Sequence, residues 1–544
     1  MPSQFRNKFK EPRASYSRRD LFRHGSLLAA AQALGSSVES AVAAPLDIGP
    51  NLYRSIGVRP VINARGTFTI ITGSTTLPEV KRAMDEASRS FVNMDELMDG
   101  VGKRLAELSG AEWGIVTAGC CAAVTHCTAA AIAGGNPERM QRLPDLSGEV
   151  LKSEVVVPAY SHNVYDHAVR MLGVKLVVVR DKSELEGAFN ERTAMVYILA
   201  GPGDEGPLGT AAVSEVAKRK NVPVVVDAAA EVLTLKPNVH LARGATAVAY
   251  SGGKCIRGPQ AAGLLLGEKS FLQGAWINSA PHHAFGRSVK VGKEEIMGML
   301  AAVEMWVKRN HQAEWAQWES WLDHIATSVK RIPGVTTKVN PPSEGLSNRT
   351  PELVIQWDGA KLGITGQEMN KTVLDTEPRI VLSRASGSRP GQMASSVGVV
   401  PYQMTPGDEK VVADRLYALL SKPPRFEDPA PLPEGQPVSV AGQWELKLDF
   451  VYGSADHTLL LEQDGAKLVG THRGEFASGD LSGSVAANTL RFQSALGTEG
   501  TRVSFQFTGT AEGGKMSGTV ALGEYGEARW TAQKHQYRTG GRRG

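Results

Sequence analysis

Cysteine is scarce in this chain, and the scarcity excludes two architectures. Four residues, Cys120, Cys121, Cys127 and Cys255, do not make a disulfide framework in 544 residues. None stands in paired C-x-x-C spacing, which argues against zinc. All four lie in apolar or Gly-rich segments, so buried thiols are expected. Long hydrophobic runs are also missing, and no stretch reaches the length of a stable membrane span. A charge excess is missing from the body of the chain. The formal charge of +4 is accounted for by residues 1–43, where Arg6, Lys8, Lys10, Arg13, Arg18, Arg19 and Arg23 face Glu11, Asp20 and Glu39. The neutral remainder gives no electrostatic case for nucleic acid. A phosphate-binding P-loop is absent too: GGKC (252–255) lacks the earlier glycine, and Cys255 replaces the Ser or Thr.

What is present is ordinary in bulk, with 42% apolar and 21% charged residues. The length allows roughly two to four domains. SRRDLF (17–22) carries paired arginines, a modestly apolar run follows, and Ala41-Val42-Ala43 forms a small-x-small cleavage site. Residues 1–43 therefore read as a twin-arginine export signal, which implies the export machinery as a partner and a periplasmic or secreted location. A disordered basic tail is the other reading.

After the leader the chain divides by texture. Residues 45–60 look like an extended arm within a large domain spanning 44–292. From 151 to 267 buried apolar runs alternate with helical patterns, which implies crossover units and a largely parallel sheet. Residues 291–332 read as one long helix, opening a small α/β domain that spans 293–421. Residues 422–439 are a Pro-rich linker. Period-2 alternation then marks a small all-β domain at 440–533, an antiparallel sheet or barrel, before a tail at 534–544.

The chemistry concentrates at the ends of buried strands. VAYSGGK (248–254) ends an apolar run in Ser251, two glycines and Lys254, and NVPVVVDAAAE ends another in Asp227. Ligands of such sheets sit at the carboxyl ends of strands. A lysine and a carboxylate there suit pyridoxal 5'-phosphate (PLP): the lysine holds the aldehyde, and the carboxylate keeps the pyridine nitrogen protonated. An ordinary solvated turn is the bland alternative for SGGK. The turn Ala118-Gly119-Cys120-Cys121 opens a small-residue helix whose free N–H groups suit a phosphate; close helix–sheet packing would favour the same residues. His162, after SEVVVPAY, could stack on or hydrogen-bond an aromatic cofactor, or be structural.

VINARGT, TAGCCAA, SHNVYDHAVR, VVVDAAAE, YSGGK and GRSVKVGKEEI together resemble the PLP-dependent family of bacterial selenocysteine synthase and the D-glucosaminate-6-phosphate ammonia-lyases. The resemblance covers residues 52 to 420. It implies the aspartate-aminotransferase-like α/β fold (fold type I) with a mainly parallel sheet. It implies Lys254 as Schiff-base lysine, Asp227 as partner of the pyridine nitrogen, and phosphate contacts from 118–121. A homodimer or larger homo-oligomer is implied, with Arg257 near a neighbour's site. Asn63 and Arg65 of VINARGT, and His282, Arg287 and Lys290 of the basic stretch, are candidates for holding an anionic, amino-acid-type substrate. The ammonia-lyase branch is nearer, because no separate tRNA-gripping domain is present. The loop GPGDEGPLG (201–209) and the C-terminal β-domain depart from the family pattern. The expected activity is a PLP-dependent lyase acting on a hydroxylated or sugar-derived amino acid by elimination and deamination. A PLP-dependent transferase (selenium transferase or aminotransferase) and a non-catalytic exported binding protein are the alternatives.

Overall fold

The computed structural model describes residues 46–148, 150–428 and 433–536. The expected export signal, residues 1–43, lies outside the described residues. Residues 46–60, taken by themselves, hold turns and a short 3-10 helix at Arg54–Ile56 that ends in left-handed Gly57. The expected extended arm is thus interrupted, because Ser55 donates to the Leu52 carbonyl and closes the chain on itself.

From residue 61 the chain begins with a short strand β1 (Ile62–Ala64). The central sheet has seven strands: β2 (Trp113–Thr117), β3 (Glu154–Pro158), β4 (Lys175–Val179), β5 (Thr193–Leu199), β6 (Val224–Asp227), β7 (Ala247–Ser251) and β8 (Gly263–Gly267). Their spatial order is β2-β8-β7-β6-β5-β3-β4. β3 to β7 pair in parallel, and β8 runs antiparallel between β2 and β7. β2, β3, β6 and β8 are buried along their whole length. Their continuous apolar runs reflect a sheet covered on both faces. The antiparallel step between β7 and β8 needs no crossover helix, so the loop 252–262 joins them and Lys254 sits in it.

The helix Gly119–Ala133 follows β2 and is buried almost throughout. Gly263 of β8 lets its first turn lie against the sheet: a side chain there would come within 2.4 Å of the Gly119 backbone. The helices Pro78–Ser88 and Met94–Ser109 begin and end as their sequence signals require. Pro78 opens the first, Asn93 caps the second, and left-handed Gly110 stops it.

The expected helix over 291–332 is two helices, Lys293–Lys308 and His311–Val329. Arg309 leaves helical geometry, and the Asn310 side chain accepts from Ala313 N and starts the second helix. The capping asparagine outweighs the continuous apolar period. The small domain adds β9 (Thr336–Asn340), β10 (Glu352–Asp358), β11 (Ile380–Leu382), β12 (Arg384–Ser388) and β13 (Gln392–Val399). β12-β13-β10-β9 form one sheet, and β11 pairs in parallel with β1. Ala64 of β1 joins the core of this domain with Leu322, Ile325, Ile355 and Leu416. β1 therefore ties the start of the body to its second core.

The C-terminal domain is a closed barrel of eight antiparallel strands. These are β14 (Gly442–Asp449), β15 (Ser454–Asp464), β16 (Lys467–Arg473), β17 (Ser478–Ala486), β18 (Thr489–Thr498), β19 (Thr501–Glu512), β20 (Lys515–Ala521) and β21 (Glu527–Lys534). Each strand follows its predecessor, and β21 returns to pair with β14. Inward residues alternate with outward ones, as in β14, where Trp444, Leu446 and Leu448 point inside. Phe492, Phe507 and Trp530 fill the interior with ring contacts. Among the described residues, no helix is long and apolar enough to cross a membrane.

Candidate active site

The strand ends assemble the site. Asp227 closes β6 in register with Ala249 of β7, and Lys254 follows β7 by three residues. The Lys254 turn is held by Gly258 N to Gly252 O at 2.8 Å and by Arg257 N to Lys254 O at 2.9 Å. Among the described residues, the Lys254 side-chain amine has no hydrogen-bond or ion-pair partner, although it is half-buried. An amine withdrawn from water without a carboxylate is free for covalent chemistry.

Asp227 is fully engaged. Its Oδ1 accepts from Cys120 Sγ at 3.2 Å and Ala229 N at 3.0 Å, and its Oδ2 accepts from Tyr197 Oη at 3.1 Å. Donors on both oxygens hold a carboxylate in one orientation. Burial and the Asp227 charge push the Tyr197 hydroxyl well above its ordinary range, so it remains a donor. Burial and Asp227 likewise push the Cys120 thiol up, against the opposing pull of Lys254. Asp227 at the end of β6 and Lys254 just past the end of the neighbouring β7 thus stand at the same edge of the sheet.

Ala118 precedes the helix Gly119–Ala133 with no side-chain cap, and Gly119 has φ 84°. Its first N–H groups are left for a ligand. The Cys120 side chain turns inward to Asp227, so only its backbone could serve the phosphate contact expected at 118–121. Cys121 was expected to be buried and is exposed, because the helix start faces the opening. Cys120 and Cys127 are buried and Cys255 is half-buried, all as free thiols.

His162 leaves β3 on the same side of the sheet. Its Nδ1 bonds Asp166, which fixes the ring and leaves Nε2 as the outward nitrogen. Burial pushes the Asp166 carboxyl up, against the pull of His162. Ser161 Oγ accepts from Leu199 N at 3.0 Å and ties this loop to β5. The departing loop 201–209 is anchored by buried Asp204, which accepts from Thr210 N at 2.9 Å and Arg243 at 2.8 Å.

A cavity of about 910 Å³ opens beside Lys254, lined in part by Trp306, Trp315, Trp318, Tyr402, Arg257 and Arg349. Arg309 on its wall is locked by two bonds to Glu314, at 2.8 and 3.0 Å. Burial opposes ionisation of Glu314, but His311 and Arg309 outweigh it and bring its carboxyl down to about 2.

The remaining candidates separate. Asn63 builds a turn, accepting from Arg65 N at 3.0 Å and Gly66 N at 2.9 Å. Arg65 lies over Phe68 at 4.2 Å, and its buried Nε has no hydrogen-bond partner. Arg257 donates to the Thr75 carbonyl and hydroxyl, both at 3.1 Å. Ser251 is the last residue of β7. His282 is 3.3 Å from Asp95, and Arg287 donates to the Pro281 carbonyl; neither lines the cavity beside Lys254. Tyr197, Asp166 and the tryptophan-lined wall escaped sequence reasoning. Tyr197 sits mid-strand in a buried apolar run, where only its register with β6 reveals a role.

No family model matches the chain. It is 30% identical to the D-glucosaminate-6-phosphate ammonia lyase of Salmonella typhimurium over 332 residues, 59% of this chain and 86% of that protein. The chain belongs to this PLP-dependent ammonia-lyase family. A 5'-C-glycyluridine monooxygenase-decarboxylase of Streptomyces is 28% identical over 381 residues, 68% of this chain and 92% of its own length. The L-seryl-tRNA(Sec) selenium transferase of Proteus mirabilis is 25% identical over 288 residues, 47% of this chain and 58% of its own. The solved structure of a D-glucosaminate-6-phosphate ammonia-lyase superposes with a TM-score of 0.59 at 26% identity. The match takes in 99% of that structure but 69% of this chain, so part of this chain has no counterpart there. The ammonia-lyase family fixes the fold as type I and the cofactor as PLP. The donor set fits that group: an unpartnered amine, a carboxylate held by donors, and an uncapped helix start.

Proposed function

We propose that the chain is a PLP-dependent lyase that eliminates and deaminates a hydroxylated or sugar-derived amino acid. The observation carrying this reading is the unpartnered Lys254 amine just past the end of β7, beside the end of β6 where Cys120 and Tyr197 hold Asp227. Bound PLP would supply an electron sink for charge developing at the substrate α-carbon. Lys254 would hold the cofactor aldehyde, and its amine, once free, takes the α-proton. Asp227 keeps a proton on the ring nitrogen, and Tyr197 and Cys120 prevent its carboxylate from turning away. Residues 118–121 would bind the phosphate, and His162 would present Nε2 to the ring side. The substrate loses its β-hydroxyl with the α-proton as water, and hydrolysis of the enamine returns that water and releases ammonia and a 2-keto acid.

The wall of Trp306, Trp315 and Trp318 supports a substrate with a ring or polyhydroxylated side chain, since aromatic faces bind such groups by stacking. Arg65, two residues from Thr67 on the cavity wall but not itself lining it, has no ion-pair partner among the described residues and is the candidate for an anionic group. A PLP-dependent transferase is the alternative reading. The test is a panel of amino acids and amino-sugar acids read for ammonia and keto acid. Lys254→Ala should abolish product and the covalent cofactor adduct trapped by borohydride. Dependence on an added keto-acid acceptor would favour transfer. Cofactor binding without turnover of any panel member would favour a binding protein.

The reading includes twin-arginine export, which suits insertion of a cofactor before transport. Retention of uncleaved protein in the cytoplasm of a competent host would contradict it. It also includes a homodimer or larger assembly. Fully exposed Phe91 beside half-exposed Val92 supports a second copy as cover. A monomer at micromolar concentration would contradict it.

A further inference from the structure

We propose that the C-terminal barrel takes part in the active site through one turn, Glu499-Gly500 between β18 and β19, which positions His162. The proposal rests on the reading above that His162 faces the cofactor. The contact is backbone on backbone: a side chain at Gly500 would come within 2.6 Å of Asn163 N and 2.8 Å of the His162 carbonyl carbon. Gly500 is also left-handed, at φ 71°.

The neighbouring residue adds a second contact. Glu499 Oε2 lies 3.5 Å from Arg170 Nε. That nitrogen is buried and has no hydrogen-bond partner, so the Glu499 charge is what faces it. Arg170 ends the short helix His167–Arg170 that follows the His162–Asp166 loop. Glu499 reaches it from φ 46°, a region that disfavours glutamate and favours asparagine. A two-residue turn of this kind ordinarily carries Asn-Gly or Asp-Gly. The strained glutamate is explained if its longer side chain is needed to reach Arg170.

The His162 loop is therefore held from two sides. Asp166 and Ser161 fix it to the large domain, and Gly500 closes over it from the barrel. Among the described residues no strand pairing joins the barrel to the rest of the chain, so this turn acts on the loop without sharing a sheet with it. Gly500 and Glu499 are positioning residues: they act on the cofactor face through His162.

Gly513, in the β19–β20 turn at the opposite rim, supplies the control. It has φ 56°, and a side chain there meets nothing within 4 Å. Gly513→Ala and Gly500→Ala share the backbone strain, but Gly500→Ala alone strikes the loop. The experiment titrates cofactor-depleted full-length protein with PLP, followed by visible absorbance and circular dichroism, and measures amide exchange over 160–170. We expect Gly500→Ala to weaken PLP binding about tenfold, equivalent to ~1.4 kcal/mol. Its cofactor circular dichroism should change, and exchange at 161–166 should rise, while Gly513→Ala leaves all three as in the parent. Glu499→Asn should keep or raise the melting temperature yet increase exchange at 161–166. Cofactor affinity and dichroism in Gly500→Ala equal to those of Gly513→Ala overturn the proposal. A parent protein that binds no PLP sinks the proposed function instead, and exchange over 161–166 then decides whether the turn pins the loop.

Discussion

Acidification should destabilise the barrel. His472 of β16 is completely buried, with Nδ1 on Ser494 Oγ at 2.7 Å and Nε2 on His457 Nδ1 at 2.8 Å. Phe505 and Phe507 pack against its ring, and Asp456 and Glu475 act on His457 rather than on His472. Burial and then the neighbouring His457 lower its titration from 6.5 to about 3. The unfolded chain therefore binds this proton first. Stability is complete above pH 6.5 and falls as the pH drops toward the folded value. At about pH 5 the loss from His472 alone is ~2 kcal/mol. For a domain of this size that lowers the barrel transition by roughly 10 °C. Scanning calorimetry of the full chain at neutral pH and at about pH 5 measures it, with His472→Gln as comparison. The variant should be less stable at neutral pH but lose less on acidification. Equal shifts in parent and variant, or an unmoved barrel transition, would refute the assignment.

Two further outcomes follow from the buried tyrosines around the site. Tyr197→Phe removes the 3.1 Å bond to Asp227. A hydrogen bond to a charged group is worth ~1.5–3 kcal/mol, so kcat/KM should fall about ten- to a hundredfold while the cofactor remains attached. Burial raises the hydroxyls of Tyr197 and Tyr250 above their ordinary value. The unfolded chain releases these protons first, so stability holds below pH 10 and declines as pH rises further. Urea midpoints between about pH 9 and pH 11 should drop in the parent and drop less in Tyr197→Phe.

Legibility followed sequence range. VVVD and AVAYS announce buried strands because only their last residues break an apolar run, and Asp227 and Lys254 are conspicuous as charged residues at or just past their ends. The alternation in WELKLDF and RVSFQF was enough for an all-β domain but not for closure, which depends on β21 meeting β14 across about eighty residues. The break at Arg309-Asn310 was hidden because the apolar period continues through it, and the Asn310 cap decided the outcome. Cys120 is legible at the helix start, but its side-chain bond is not. Its inward rotamer is set by Asp227, more than a hundred residues away. Tyr197 and Gly500 act through contacts that no local spacing encodes.

The order of the barrel strands has a mechanical result. Odd-numbered hairpin turns, counted from β14, gather at the rim that carries Glu499-Gly500, while both chain ends of the barrel emerge at the other rim. The tether from the small domain thus attaches at one end of a stiff, fully bonded cylinder, and the His162 loop is touched at its far end. The cylinder works as a lever. Its height sets how long the tether must be, so shortening residues 433–439 should lift the turn off His162 without altering a single residue in either core.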